Sequence, residues 1–174
     1  MRKKINAPGK LKFRHTVIAV IVLFFALFTC IDYTTAVDKK DAIYDSGLDV
    51  KTAITDSLVK ARQENKHILL MFGGNWCPWC HRLHQLFKAD RAIKQFLAEN
   101  YILVMVDVGE KATKPLNRDL VDLYRIKGFG YPSLVVLGSR GRLICAQSTG
   151  VLEKGKAHDP ERVLSFLKAQ APDK

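Results

Sequence analysis

Seven consecutive residues, Asn75-Trp76-Cys77-Pro78-Trp79-Cys80-His81, hold the densest set of reactive side chains in this chain. A Cys-x-x-Cys pair at the opening of a helix puts its first sulfur among unpaired backbone N–H groups, at the positive end of the helix dipole, and both favour the thiolate. Each unit of pKa depression requires about 1.4 kcal/mol of preference for the charged form. A helix end supplies roughly 0.3–1 kcal/mol, so N–H···S contacts or a cation must add the rest. Cys77 is therefore the expected nucleophile. Cys80, one turn along and expected to be buried, is placed to resolve a mixed disulfide by attacking the Cys77 sulfur. Pro78 suits the first helical position, where its missing N–H costs nothing.

The same residues admit other chemistry. Cys77-Pro-Trp-Cys80-His81 matches the attachment pattern of a c-type haem, which would make the protein an electron carrier. Cys77, Cys80, His81 and His84 are four zinc donors within eight residues, although Cys80 and His81 point in different directions on a helix. A purely structural disulfide would close a very small ring and contribute little by chain entropy. No metal site is expected. His84 reads as a surface or packing residue, and Cys145, in a predicted strand, as a buried thiol. Gly73-Gly74 is not followed by Lys-Ser/Thr and so forms no phosphate loop.

The elements that must position this motif follow from periodicity. Val50, Ile54, Leu58 and Ala61 predict an amphipathic helix over about 48–64, after a polar lead-in at 37–47. His67–Phe72 reads as a buried strand that runs into the motif. A helix follows from about Cys77 to Lys88 with Leu83, Leu86 and Phe87 inward. Asp90 caps a further helix carrying Ile93, Phe96 and Leu97. Tyr101–Asp107 is a second buried strand. A helix near 117–125 turns Leu120, Leu123 and Tyr124 inward. Ser133–Leu137 and Leu143–Gln147 flank Gly138-Ser139-Arg140-Gly141 as a hairpin. Asp159-Pro160-Glu161 opens a last helix with Val163, Leu164 and Leu167 buried. This order predicts an α/β architecture, a mixed central sheet flanked by helices.

With Leu69-Leu70-Met71-Phe72 ahead of Trp76-Cys77-Pro78-Trp79-Cys80, and Tyr131-Pro132 ahead of a strand and a glycine-turned hairpin, residues 45–172 resemble the thioredoxin-like superfamily. The nearest type is the exported thiol–disulfide interchange protein with a Trp-Cys-Pro-Trp-Cys centre. The resemblance implies a thioredoxin fold. It also implies that Pro132 is a cis-proline beside the active site and that the backbone of Tyr131 pairs with an extended substrate. Trp76, Pro78, Trp79, Tyr131 and Pro132 would then shape a substrate-binding rim. Two departures stand out. Met71 takes the place of the buried Asp that assists the resolving cysteine in thioredoxin, which makes His81 a candidate for proton transfer or thiolate stabilisation. The approach Gly128-Phe129-Gly130-Tyr131-Pro132 is two residues longer than thioredoxin's.

Charge and hydropathy give an address. The chain has 174 residues and a net charge of +11. Six basic residues and one acid fall within residues 1–36, where an uncharged stretch, Thr16–Ile31, is followed by the small residues Thr34-Thr35-Ala36. This pattern reads as a signal peptide, or as an uncleaved membrane anchor at 16–31, with residues 37–174 forming an exported domain. A periplasmic or similar compartment is oxidising, so a cysteine pair there has its redox state at stake. The remaining charges are interspersed and carry no nucleic-acid signature. The resulting expectation is an exported thiol–disulfide oxidoreductase acting on protein substrates. It uses no cofactor, inclines towards the reductase direction and exchanges electrons with a soluble or membrane redox partner. A non-catalytic binding or chaperone module using the same groove is the alternative, beside the haem carrier.

Overall fold

The computed structural model describes residues 42–110 and 114–173. In chain order its elements are α1 (Val50–Glu64), β1 (His67–Gly73), α2 (Pro78–Ala89), α3 (Arg91–Asn100), β2 (Tyr101–Asp107), β3 (Gly109–Glu110) and β4 (Lys114–Pro115). They continue with α4 (Arg118–Leu123), β5 (Ser133–Leu137), β6 (Leu143–Ser148), a 3-10 turn at Thr149–Leu152, β7 (Glu153–Lys154), β8 (Ala157–His158) and α5 (Pro160–Ala169). The export segment expected at 1–36 lies outside the described residues. Among the described residues no helix is long and apolar enough to cross a membrane.

The central sheet has strand order β2-β1-β5-β6. β1 runs parallel to β2, with His67 beside Tyr101 and Gly73 beside Asp107, and antiparallel to β5. β5 pairs antiparallel with β6. This is the mixed sheet of the thioredoxin fold. Both faces of β1 are covered, which is why its sequence is an unbroken apolar run rather than an alternating one. Ile68, Leu70 and Phe72 enter one core with Val50, Ile54, Ala61 and Leu120. Leu69 and Met71, pointing the other way, enter a second core with Leu83, Phe87, Ile93, Val163 and Leu167.

Aspartates start α1, α3 and α5. Asp49 accepts from the backbone N–H of Lys51 and Thr52, Asp90 from Ile93, and Asp159 from Glu161 and Arg162. Each satisfies amides that the first turn leaves without partners.

The structure corrects the sequence reading in four places. The lead-in is not uniformly polar: Tyr44 is only 3% exposed and belongs to the core that holds both motif cysteines. Leu123 is 65% exposed rather than inward, because α4 is only six residues long. Leu120 and then Ile126 fill the core instead. Cys145 is half-buried, not fully buried, since β6 is the edge strand of the sheet. Two short ribbons, β3–β4 and β7–β8, were not anticipated.

Candidate active site

The motif lies where β1 hands over to α2. Gly73-Gly74 ends the strand, and the Cys77 N–H closes a turn on the Gly74 carbonyl at 3.0 Å. Cys77 is the N-cap of α2, with Pro78 in its first turn. The Cys77 Sγ accepts the backbone N–H of Cys80 at 3.1 Å. The two cysteines form a disulfide with Cα atoms 5.2 Å apart. Both residues are buried, Cys77 at 3% exposed and Cys80 at 0%. The backbone therefore supplies what the helix dipole alone does not: an N–H aimed at the first sulfur.

Gly73 is required by packing. A Cβ built on it would collide with the Cys80 sulfur and with the Tyr44 hydroxyl, which share the space over this residue. Asn75 ties the loop to the lead-in segment. Its Oδ1 accepts the backbone N–H groups of Ile43 and Tyr44, each at 2.9 Å, and its Nδ2 donates to the Tyr44 carbonyl at 2.9 Å.

The aromatic and proline residues named from sequence gather around this loop. Trp76 is 39% exposed; its indole N–H donates to the Gly109 carbonyl at 2.7 Å, and its ring meets Tyr131 edge to face at 5.9 Å. The Tyr131–Pro132 peptide bond is cis. Pro132 is buried, and its carbonyl accepts the Thr149 hydroxyl at 2.7 Å. Gly128 and Gly130 have positive φ, which lets the longer approach turn into β5. Beside Tyr131 a cleft of about 510 Å³ is lined by Val108, Leu116, Val121 and Gly128 among others.

His81, the candidate for proton transfer or thiolate stabilisation, places its Nε2 2.8 Å from the Asn75 carbonyl oxygen. That contact braces the loop. His84 is half-buried, and desolvation, with Lys88 and His81 nearby, lowers its pKa. Among the described residues no three His, Cys, Asp or Glu side chains converge to hold a metal ion, so the four-donor zinc set does not assemble. Burial pushes the pKa of the Cys145 thiol up.

Sequence reading missed two residues here. Tyr44 is one. The other is His158, 5% exposed, packed edge-on to Trp79 at 5.3 Å and perpendicular to it. The Arg82 guanidinium covers Trp79 at 4.7 Å, so Trp79 is held by both neighbours. Neither residue carries a periodic signal: Tyr44 is a lone aromatic before Asp45-Ser46-Gly47, and His158 sits in a two-residue strand.

Comparison with known proteins agrees with this geometry. The family described as a thioredoxin-like domain matches residues 54–159. The disulfide bond reductase DsbH of Chlamydia pneumoniae is 29% identical over 119 residues, which cover 65% of this chain and 69% of that protein. Spermatogenesis-associated protein 20 of Mus musculus is 42% identical over 52 residues, but these are only 30% of this chain and 7% of that protein. Among solved structures, a disulphide isomerase from Xylella fastidiosa Temecula1 aligns at 25% identity with a TM-score of 0.63, covering 73% of this chain and 95% of that one. With more than half of its length matched by the family and a bonded Cys77–Cys80 pair at a helix N-terminus, this chain belongs to the thioredoxin-like domain family and is a thiol–disulfide oxidoreductase.

Proposed function

We propose that the protein is an exported reductase of protein disulfides, with Cys77 as the attacking thiolate and Cys80 as the resolving thiol. The observation that carries the division of labour is the N-cap geometry of Cys77, whose sulfur accepts an N–H at 3.1 Å, against the complete burial of Cys80. Attack by Cys77 on a substrate disulfide forms a mixed disulfide and releases one substrate thiolate. Cys80 then attacks the Cys77 sulfur, releases the second substrate thiolate and leaves the Cys77–Cys80 disulfide. Electrons from a soluble or membrane donor restore the dithiol.

Trp76, Pro78, Trp79, Tyr131 and Pro132 form the substrate rim in this reading. The edge-to-face contact of Trp76 with Tyr131 supports it, because it gives the loop an aromatic edge near the disulfide. The reductase direction is supported by the name of the Chlamydia pneumoniae relative. The basic head and uncharged stretch of residues 1–36 support export to an oxidising compartment, possession of an N-terminal address being a matter of sequence.

Equilibrating the Cys77–Cys80 pair in glutathione buffers tests the direction. A reductase is expected near the thioredoxin end of the range, roughly −270 mV, and a midpoint near the strongly oxidising end, roughly −120 mV, would overturn it.

A further inference from the structure

Resolution puts negative charge on Cys80, a fully buried sulfur. An anion in an apolar site is costly unless a donor meets it. Leu69, Met71 and Leu83, which share its core, have nothing to donate. His81 holds the Asn75 carbonyl through Nε2.

Tyr44 is the group in place. Its hydroxyl is buried and has no hydrogen-bond partner among the described residues. The clash that a Gly73 Cβ would suffer with both atoms puts this hydroxyl and the Cys80 sulfur side by side over the same glycine. Asn75 accepts the backbone N–H groups of Ile43 and Tyr44 and donates to the Tyr44 carbonyl, which fixes the backbone that carries the ring. A buried hydroxyl without a partner leaves its desolvation uncompensated, and a thiolate formed beside it would remove that cost.

We propose that the Tyr44 hydroxyl is the hydrogen-bond donor that stabilises the Cys80 thiolate as it attacks Cys77. The inference rests on the reading of Cys77 as nucleophile and Cys80 as resolving residue. The Cys80 proton passes to solvent or to the departing substrate thiolate. The Cys80 electron pair forms the bond to the Cys77 sulfur, the bond from Cys77 to the substrate sulfur breaks, and Tyr44 keeps its own proton throughout. The surroundings suit that role. Burial first, and then the Asp107 carboxylate, push the ionisation of the Tyr44 phenol well up, so it remains a donor. Asp107 is itself held by the Ser46 hydroxyl at 2.7 Å and the Gly109 N–H at 2.8 Å.

Tyr44→Phe removes the hydroxyl and keeps the ring. The reduced variant, mixed with oxidised glutathione, acid-quenched and read by mass spectrometry, is expected to form the Cys77–glutathione adduct at the parental rate. It should then close the Cys77–Cys80 disulfide about tenfold more slowly, the loss of one hydrogen bond to a charged group. Closure at the parental rate overturns the inference. Placing 3-fluorotyrosine at position 44 keeps the donor and makes it stronger, so closure should be at least as fast as in the parent; slower closure also counts against it. Cys80→Ser, run in parallel, separates the two levels of the argument. A stable adduct on Cys77 sustains the assignment of the cysteines, so that parental closure by Tyr44→Phe removes only the role of Tyr44. No adduct on Cys77 overturns both.

Discussion

His158 presses its imidazole against the edge of Trp79, and neither ring nitrogen has a partner among the described residues. Burial, with the Arg82 cation nearby, lowers its pKa to about 4, against about 6.5 for a free histidine. The native protein therefore holds this ring neutral at pH values where the unfolded chain would protonate it. Stability from this source is complete above about pH 6.5 and is lost as the pH falls towards 4, at up to about 1.4 kcal/mol per unit. On the order of 2 kcal/mol should be gone by about pH 4.5. The neighbouring Asp159 acts below this window, because the N–H groups of Arg162 and Glu161 hold its carboxyl under the usual range. Thermal melts from pH 7 to 4.5 should show the fall, and His158→Phe, which keeps the edge contact with Trp79, should lessen it, leaving the part that His84 contributes. An unchanged pH dependence in that variant would show that His158 is not its source.

At the scale of elements, the site depends on a short segment, residues 43–44, tied to the loop by Asn75. Asn75→Ala removes all three bonds and should cost about 1–3 kcal/mol, the range for a broken partly buried network. Hydrogen exchange would show the damage locally: the amides of Ile43 and Tyr44 should lose protection while those of β1 keep theirs. Unaltered protection at 43 and 44 would mean that the tie does not hold the segment. None of this was legible in the sequence, because one asparagine and one tyrosine 31 positions apart carry no periodic signal. The large elements were legible. β1, buried on both faces, left the apolar run at His67–Phe72. β2, an edge strand only partly buried at Ile102, Leu103 and Met105, left that at Tyr101–Asp107, and Asp90 and Asp159 marked helix starts. The two-residue strands of β3–β4 and β7–β8 are too short to have a period, and α4 is too short to show which of its leucines faces in.

Across the whole molecule, four stretches distant in the chain converge: Tyr44, the loop from Gly73 to Cys80, the Tyr131–Pro132 step, and His158 with the Trp79 it packs on. Sequence alone supplied the middle two, because spacing within the motif and the aromatic-proline step are local features. The outer two join the site only through the fold, which sets Tyr44 over Gly73 and His158 against Trp79. At its centre the assembled site holds two buried cysteines, Cys77 at the helix N-cap and Cys80 within the first turn. The most direct measurement mixes the reduced Cys80→Ser variant with a disulfide-bonded protein and maps the trapped adduct by mass spectrometry. A single stable mixed disulfide on Cys77, with none on Cys145, is the predicted result. An adduct on Cys145 alone, or continued turnover with no trapped species, would contradict Cys77 as nucleophile and Cys80 as the residue that resolves it.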